Sequence, residues 1–124
     1  MASVTGIGGV FLRAKDPASL ARWYGEALGI DFMGGGHFSM FTEEVPGSVT
    51  VFALFDHGDT YIGDPREQSV MVNYRVDQLD EILARLASMG APIDDIVVEE
   101  NGRFSWSTDP EGNRFELWEP GPLD

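Results

Sequence analysis

Residues 7–29 read IGGVFLRAKDPASLARWYGEALG, and residues 69–90 read SVMVNYRVDQLDEILARLASMG. Each begins as an apolar strand that ends near an arginine, passes a polar start signal, and continues as a helical pattern stopped by glycine. Arg13 stands three residues before Asp16, and Arg75 three before Gln78. The stretches that follow match as well. GHFSMFTE (36–43) aligns with GRFSWSTD (102–109), so Phe38, Ser39 and Thr42 recur as Phe104, Ser105 and Thr108. Landmarks that recur in the same order mark an internal repeat. The 124 residues thus divide into module one, about 4–62, and module two, about 68–120, of a single domain spanning 1–124.

The local signals give each module its order. Asp16 can cap a helix and Pro17 suits its first position, where no N–H is needed. Leu20, Tyr24, Ala27 and Leu28 form a stripe at helical spacing, and Gly29 supplies the stop. Leu79, Ile82, Leu83 and Leu86 make the second stripe, ended by Gly90. Residues 37–42 with 49–55, and 103–108 with 113–119, read as hairpins. Asp109–Asn113 is a turn by composition, and Gly34-Gly35-Gly36 reads as a flexible turn. Alternation along 71–76 predicts Val72, Tyr74 and Val76 towards the helix, with Met71, Asn73 and Arg75 facing away. Each module is therefore predicted to be βαβββ. The pair gives an α+β fold, a curved mixed eight-stranded sheet with both helices on its outer face.

Composition narrows the function. The formal net charge is −13, from 8 Lys+Arg against 21 Asp+Glu, and Lys15 is the single lysine. A phosphate-backbone binder needs clustered positive charge, so nucleic acid is an unsuitable partner; an acidic membrane surface is disfavoured for the same reason. No cysteine is present, which removes disulfides, thiolate–zinc sites and thiol nucleophiles. No apolar run approaches the ~20 residues of a membrane span. Met1–Gly9 has neither a basic start nor a long apolar stretch, so a cytoplasmic protein is expected. Phosphate-loop and nucleophile-elbow patterns are missing.

The stretches VFLRAKDPASLARWYGEALGI (10–30) and GRFSWSTDPEGNRFELWEP (102–120) resemble the glyoxalase/bleomycin-resistance/extradiol-dioxygenase superfamily, the vicinal oxygen chelate proteins. The resemblance runs from about Gly6 to Pro120. It implies paired βαβββ modules around a concave cleft, and usually a homodimer. It further implies that metal-dependent members carry four ligands, one on the first strand and one on a late strand of each module. Those positions fall here on Gly9, on Val51 or Phe52, on Met71, and on Glu116 of FELW. Only Glu116 carries a suitable donor, since Gly, Val and Phe have none and a thioether suits Mg, Mn, Zn or Ni poorly. No metal and no other cofactor is therefore expected.

A small molecule in the cleft is the expected partner. Glu116 alternates with Phe115 and Leu117, and the family pattern puts it on the concave side. It could serve there as a general base or hydrogen-bond acceptor. Alternatively it is a remnant ligand held by an arginine; unpaired, it would be costly to bury or would have a raised pKa. Arg13 and Arg75 occupy equivalent places in the repeat, and in glyoxalase-type relatives the position of Arg13 contacts an anionic group. Two guanidinium forks suit a carboxylate or phosphate, and pairing with the many acids is the alternative. Arg103, His37, Phe11, Phe52, Met71, Asn73, Phe104 and Trp106 complete the candidate lining. Trp23 and Trp118 are assigned to packing or an interface, and His57 to a solvated loop. Three functions remain open: a metal-independent lyase or isomerase, a non-catalytic binder like the antibiotic-sequestering bleomycin-resistance proteins, and a metal-dependent glyoxalase-type lyase with displaced ligands.

Overall fold

The structure, a computed structural model, describes residues 1–33, 37–41 and 49–121. The Gly34–Gly36 turn and the recurring Thr42 lie outside the described residues. The elements run β1 (Val4–Ala14), α1 (Pro17–Leu28), β2 (Phe38–Phe41), β3 (Thr50–Asp56), β4 (Val70–Val76), α2 (Leu79–Ser88), β5 (Val97–Glu99), β6 (Gly102–Thr108) and β7 (Arg114–Pro120). Parallel and antiparallel pairings both occur, as an α+β class with mixed strands requires. No helix is long and apolar enough to cross a membrane.

The described residues form seven strands, which corrects the expected eight. The second repeat carries the full βαβββ order. Among the described residues of the first, Met33 makes one bridge with Phe38 between α1 and β2.

Two compact units divide the chain, Gly9–Met71 and Met1–Gly8 with Val72–Asp124. The first residues of β1 thus belong with the second repeat. In the Gly9–Met71 unit, β1 pairs in parallel with β3, setting Phe11 beside Ala53 and Arg13 beside Phe55. β2 lies antiparallel on β3. Helix α1 begins as the sequence predicts: the Asp16 carboxylate accepts the Ser19 N–H at 3.1 Å and Pro17 occupies the first helical position. Gly29 ends the helix in the left-handed region at φ 68°, where a Cβ would be strained. Tyr24 of α1 packs edge-on against Phe52 at 5.2 Å, and Leu54 of β3 is buried.

In the other unit, β4 pairs in parallel with β7, which pairs antiparallel with β6, followed by β5. The predicted α2 stripe is the core: Leu79, Ile82 and Leu83 bury against Val76, Leu117 and Ala2, flanked by Tyr74, Leu86 and Phe115. Burying side chains of this size contributes about 1.5–3 kcal/mol each. Gln78 does not cap α2; it is left-handed at φ 52°, with no side-chain cap bond. Glu119 of β7 does that work instead, its Oε2 accepting the Leu79 N–H at 2.8 Å.

Candidate functional site

The two faces of β7 follow from alternation. Phe115, Leu117 and Glu119 turn towards α2, and Arg114, Glu116 and Trp118 turn away. Opposite α2, Glu116 is 2% exposed. Its Oε1 accepts from Asn73 Nδ2 on β4, and its Oε2 accepts from Trp106 Nε1 on β6 at 2.9 Å. Strand register brings these three together, with Asn73 beside Glu116 and Trp106 across from it. Both partners are buried too, at 3% and 8% exposed. Two N–H donors suit an ionised carboxylate, which only accepts. The arrangement can therefore hold a negative charge out of water in a fixed orientation.

The first strand makes room for this centre. A Cβ on Gly8 would collide with Asn73 Oδ1, and a Cβ on Gly6 with the Arg75 guanidinium. These alternate glycines let the β4 side chains lie across β1. Arg75 Nη1 donates to the Ile7 carbonyl at 2.9 Å. The sequence reading missed the role of Gly6 and Gly8. It also missed Arg114, whose guanidinium sits 5.4 Å from the centre of the Trp106 ring and pairs with Asp94 at 3.1 Å. The signals were present: glycines at alternate positions of a strand, and an arginine two residues before the glutamate.

The remaining candidates separate. The Arg13 guanidinium donates to four backbone carbonyls, those of Gln68, His57, Asp59 and Gly63, at 2.7–3.3 Å. It fastens the connection that leaves β3. Arg103 lies on the α2 side of β6, not on the face of Glu116. There it bonds Glu119 Oε1 at 2.9 Å and both oxygens of Asp80, and these carboxylates push its guanidinium pKa up. Phe52 likewise is on the helix side, packed against Tyr24 and Phe32. Alternation explains both corrections, since the hairpin register put each a step off the expected face.

Phe11 is buried against Phe55 at 5.3 Å, and Phe55 stacks on Tyr61. Met71 is fully buried. Phe104 stacks on Trp118 at 6.0 Å, and Trp118 Nε1 donates to the Asn101 carbonyl, which makes it a packing residue. Trp23 is exposed and meets Tyr24 edge-on. His37 is exposed and borders a cavity of about 450 Å³ with Asp16, Asp56 and Asp59. His57 is an exposed loop residue 3.5 Å from Asp56.

Residues 9–118 match the family model described as a glyoxalase-like domain. The chain belongs to the glyoxalase-like family. That membership, with the structural likenesses, places it in the vicinal oxygen chelate superfamily. Methylmalonyl-CoA epimerase from Mycobacterium tuberculosis is 23% identical, with 96% of this chain and 90% of that one covered and a TM-score of 0.66. A Streptomyces coelicolor methylmalonyl-CoA epimerase variant, in complex with 2-nitronate-propionyl-CoA, is 14% identical at a TM-score of 0.73, covering 97% and 100%. An extradiol ring-cleaving dioxygenase from B. fuscum is 14% identical at 0.67, covering 97% of this chain and 34% of that one. No curated protein matches.

The metal that glyoxalase-like proteins can carry does not suit this donor set. Gly9 offers no side chain, and a Cβ there would meet the Val51 carbonyl oxygen. The module-one counterpart of Glu116 is Ala53 by the parallel register and Val51 by the hairpin register, and neither has a donor atom. Met71 offers only a thioether, a poor ligand for a hard divalent ion. Among the described residues, no group of three or more His, Cys, Asp or Glu could hold a metal ion.

Proposed function

We propose that this glyoxalase-like protein binds or transforms a small molecule without a bound metal, and that Glu116 is the group that meets the ligand's polar or acidic hydrogen. The observation that carries the reading is the buried carboxylate, oriented by Asn73 and Trp106 on the face away from α2. A positioned carboxylate in dry surroundings suits general acid–base work of the lyase or isomerase kind. The epimerase likenesses make acyl-CoA thioesters sensible first ligands to try. Arg75 on the same face is the candidate for an anionic substituent, and a homodimer is the assembly proposed.

The test is a thermal-shift screen of acyl-CoA thioesters, small carboxylates and organic amines, run with EDTA and with divalent ions. A ligand that binds the native fold raises Tm by mass action. The reading expects at least one shift that survives EDTA and is lost in Glu116→Gln. Shifts that all require a divalent ion would favour the metal-dependent alternative.

A second reading is a non-catalytic binder of a cationic organic molecule. The net charge of −13 and the carboxylates around the His37 cavity favour it. Under it, amines raise Tm equally in the wild type and in Glu116→Gln.

A further inference from the structure

We propose that Asn73 is the positioning residue that allows Glu116 to take and release a proton, its side-chain amide making a half-turn as the carboxylate changes state. This rests on the reading of Glu116 as the acid–base group and names the device that would serve it.

With Glu116 ionised, Asn73 must present Nδ2 to it, because a carboxylate cannot donate. That choice strands the other end of the amide. Asn73 Oδ1 is buried and, among the described residues, has no hydrogen-bond partner. Buried acceptors are nearly always satisfied, so this one calls for an account. It lies against Gly8, where a Cβ would collide with it.

Protonation reverses the requirement. A proton on Oε1 turns that oxygen into a donor facing a donor. A half-turn about χ2 exchanges the amide ends, so that the Glu116 O–H donates to Oδ1 and the stranded acceptor gains a partner. The torsion is broad and roughly two-fold, and the two amide ends are similar in size. Gly8, lacking a Cβ, accommodates either end. Trp106 can only donate, so it stays on Oε2 in both states. The one bond made is O–H, and the proton comes from ligand or solvent. Among the described residues, the charged groups that the contacts bring to this face are Arg75 from β4 and Arg114 from β7, the latter paired with Asp94; β6 brings Trp106 and Phe104, and β1 brings Gly6 and Gly8. A donor facing a donor is unfavourable in a buried site, so the turn is the step that makes the protonated form tolerable.

Nuclear magnetic resonance of the ¹⁵N,¹³C-labelled full chain tests this without a ligand. On lowering the pH, the Trp106 Nε1–H resonance and the Asn73 amide resonances should move with one common midpoint. Below it, nuclear Overhauser contacts from the Asn73 amide protons to the Gly8 Hα should appear. In Glu116→Gln, whose NH₂ stands where the O–H would be, those contacts should be present at every pH and the titration lost. An Asn73 amide that keeps its contacts while Trp106 reports a titration overturns the proposal. So does a Glu116 that stays ionised down to the acid unfolding transition. If Glu116→Gln fails to fold, the wild-type titration decides alone. Failure of the ligand screen with a turning amide would sink the proposed function instead, so the two failures are distinguishable.

Discussion

The two repeats share the order strand, helix, hairpin but fill the face away from their helices differently. In the second repeat that face holds a buried polar centre, Glu116 with Asn73 and Trp106. In the first, the corresponding strand positions carry Phe11, Ala53 and Met40, and Phe11 packs on the neighbouring Phe55 ring. The equivalent arginines differ too. Arg13 spreads its guanidinium over four loop carbonyls, whereas Arg75 reaches across β1 to the Ile7 carbonyl. One backbone plan has thus been used once to fasten a loop and once to hold a charge. Sequence equivalence fixes where a side chain starts, and its neighbours decide what it does.

The largest expected effect sharpens that contrast. Glu116→Leu leaves the Trp106 and Asn73 N–H donors buried without partners, and should lower stability by about 4 kcal/mol. Glu116→Gln still offers Trp106 an acceptor and should cost about 1 kcal/mol; urea unfolding separates the two. Equal losses would mean that the site responds to packing alone.

Arg13→Ala removes several charge-assisted bonds to carbonyls and should cost about 3 kcal/mol, against about 1 kcal/mol for Arg75→Ala, by the same unfolding measurement. A reversed order would break the assignment of loop fastening to the first repeat.

The helix starts differ in origin, and loss of the cap borrowed from β7 should cost the more. Asp16→Ala and Glu119→Ala each remove a cap from one helix, and each should cost about 1 kcal/mol in thermal unfolding. Glu119→Ala also deprives Arg103 of a partner, so the larger loss should fall there.

The smallest effect concerns acid. The Asn113 side chain, together with nearby backbone N–H groups, holds the Asp109 carboxyl below its usual range, and the Arg66 side chain does most to hold Asp64 down at about 2. A folded-state pKa below the unfolded one contributes stability that is present above the unfolded pKa of about 3.9 and lost as pH falls through the lower folded value. Both carboxylates are only half-buried at the surface, so screening keeps the contribution small. Asp109→Asn should flatten the loss of stability between about pH 4 and pH 2 only slightly. A steeper loss in that variant would contradict the sign.

Much of this architecture was legible. The repeat gave the element order, Asp16, Pro17 and Gly29 gave the limits of α1, and the α2 stripe gave its core. Glu116 was singled out by the family resemblance at FELW, and its alternation with Phe115 and Leu117 put it on the opposite side of the strand from them. What was hidden depended on partners distant in sequence. The cap on α2 comes from Glu119, forty residues away. Phe52 and Arg103 were put on the wrong face because hairpin register, which composition does not encode, fixes their alternation.

The central claim is a metal-independent site built on Glu116. Its most direct test is the ligand-induced Tm shift of the wild type and of Glu116→Gln, side by side in EDTA. The account predicts a shift in the wild type that Glu116→Gln loses while remaining folded. An equal shift in both proteins, or one that appears only when a divalent ion is added, would contradict it.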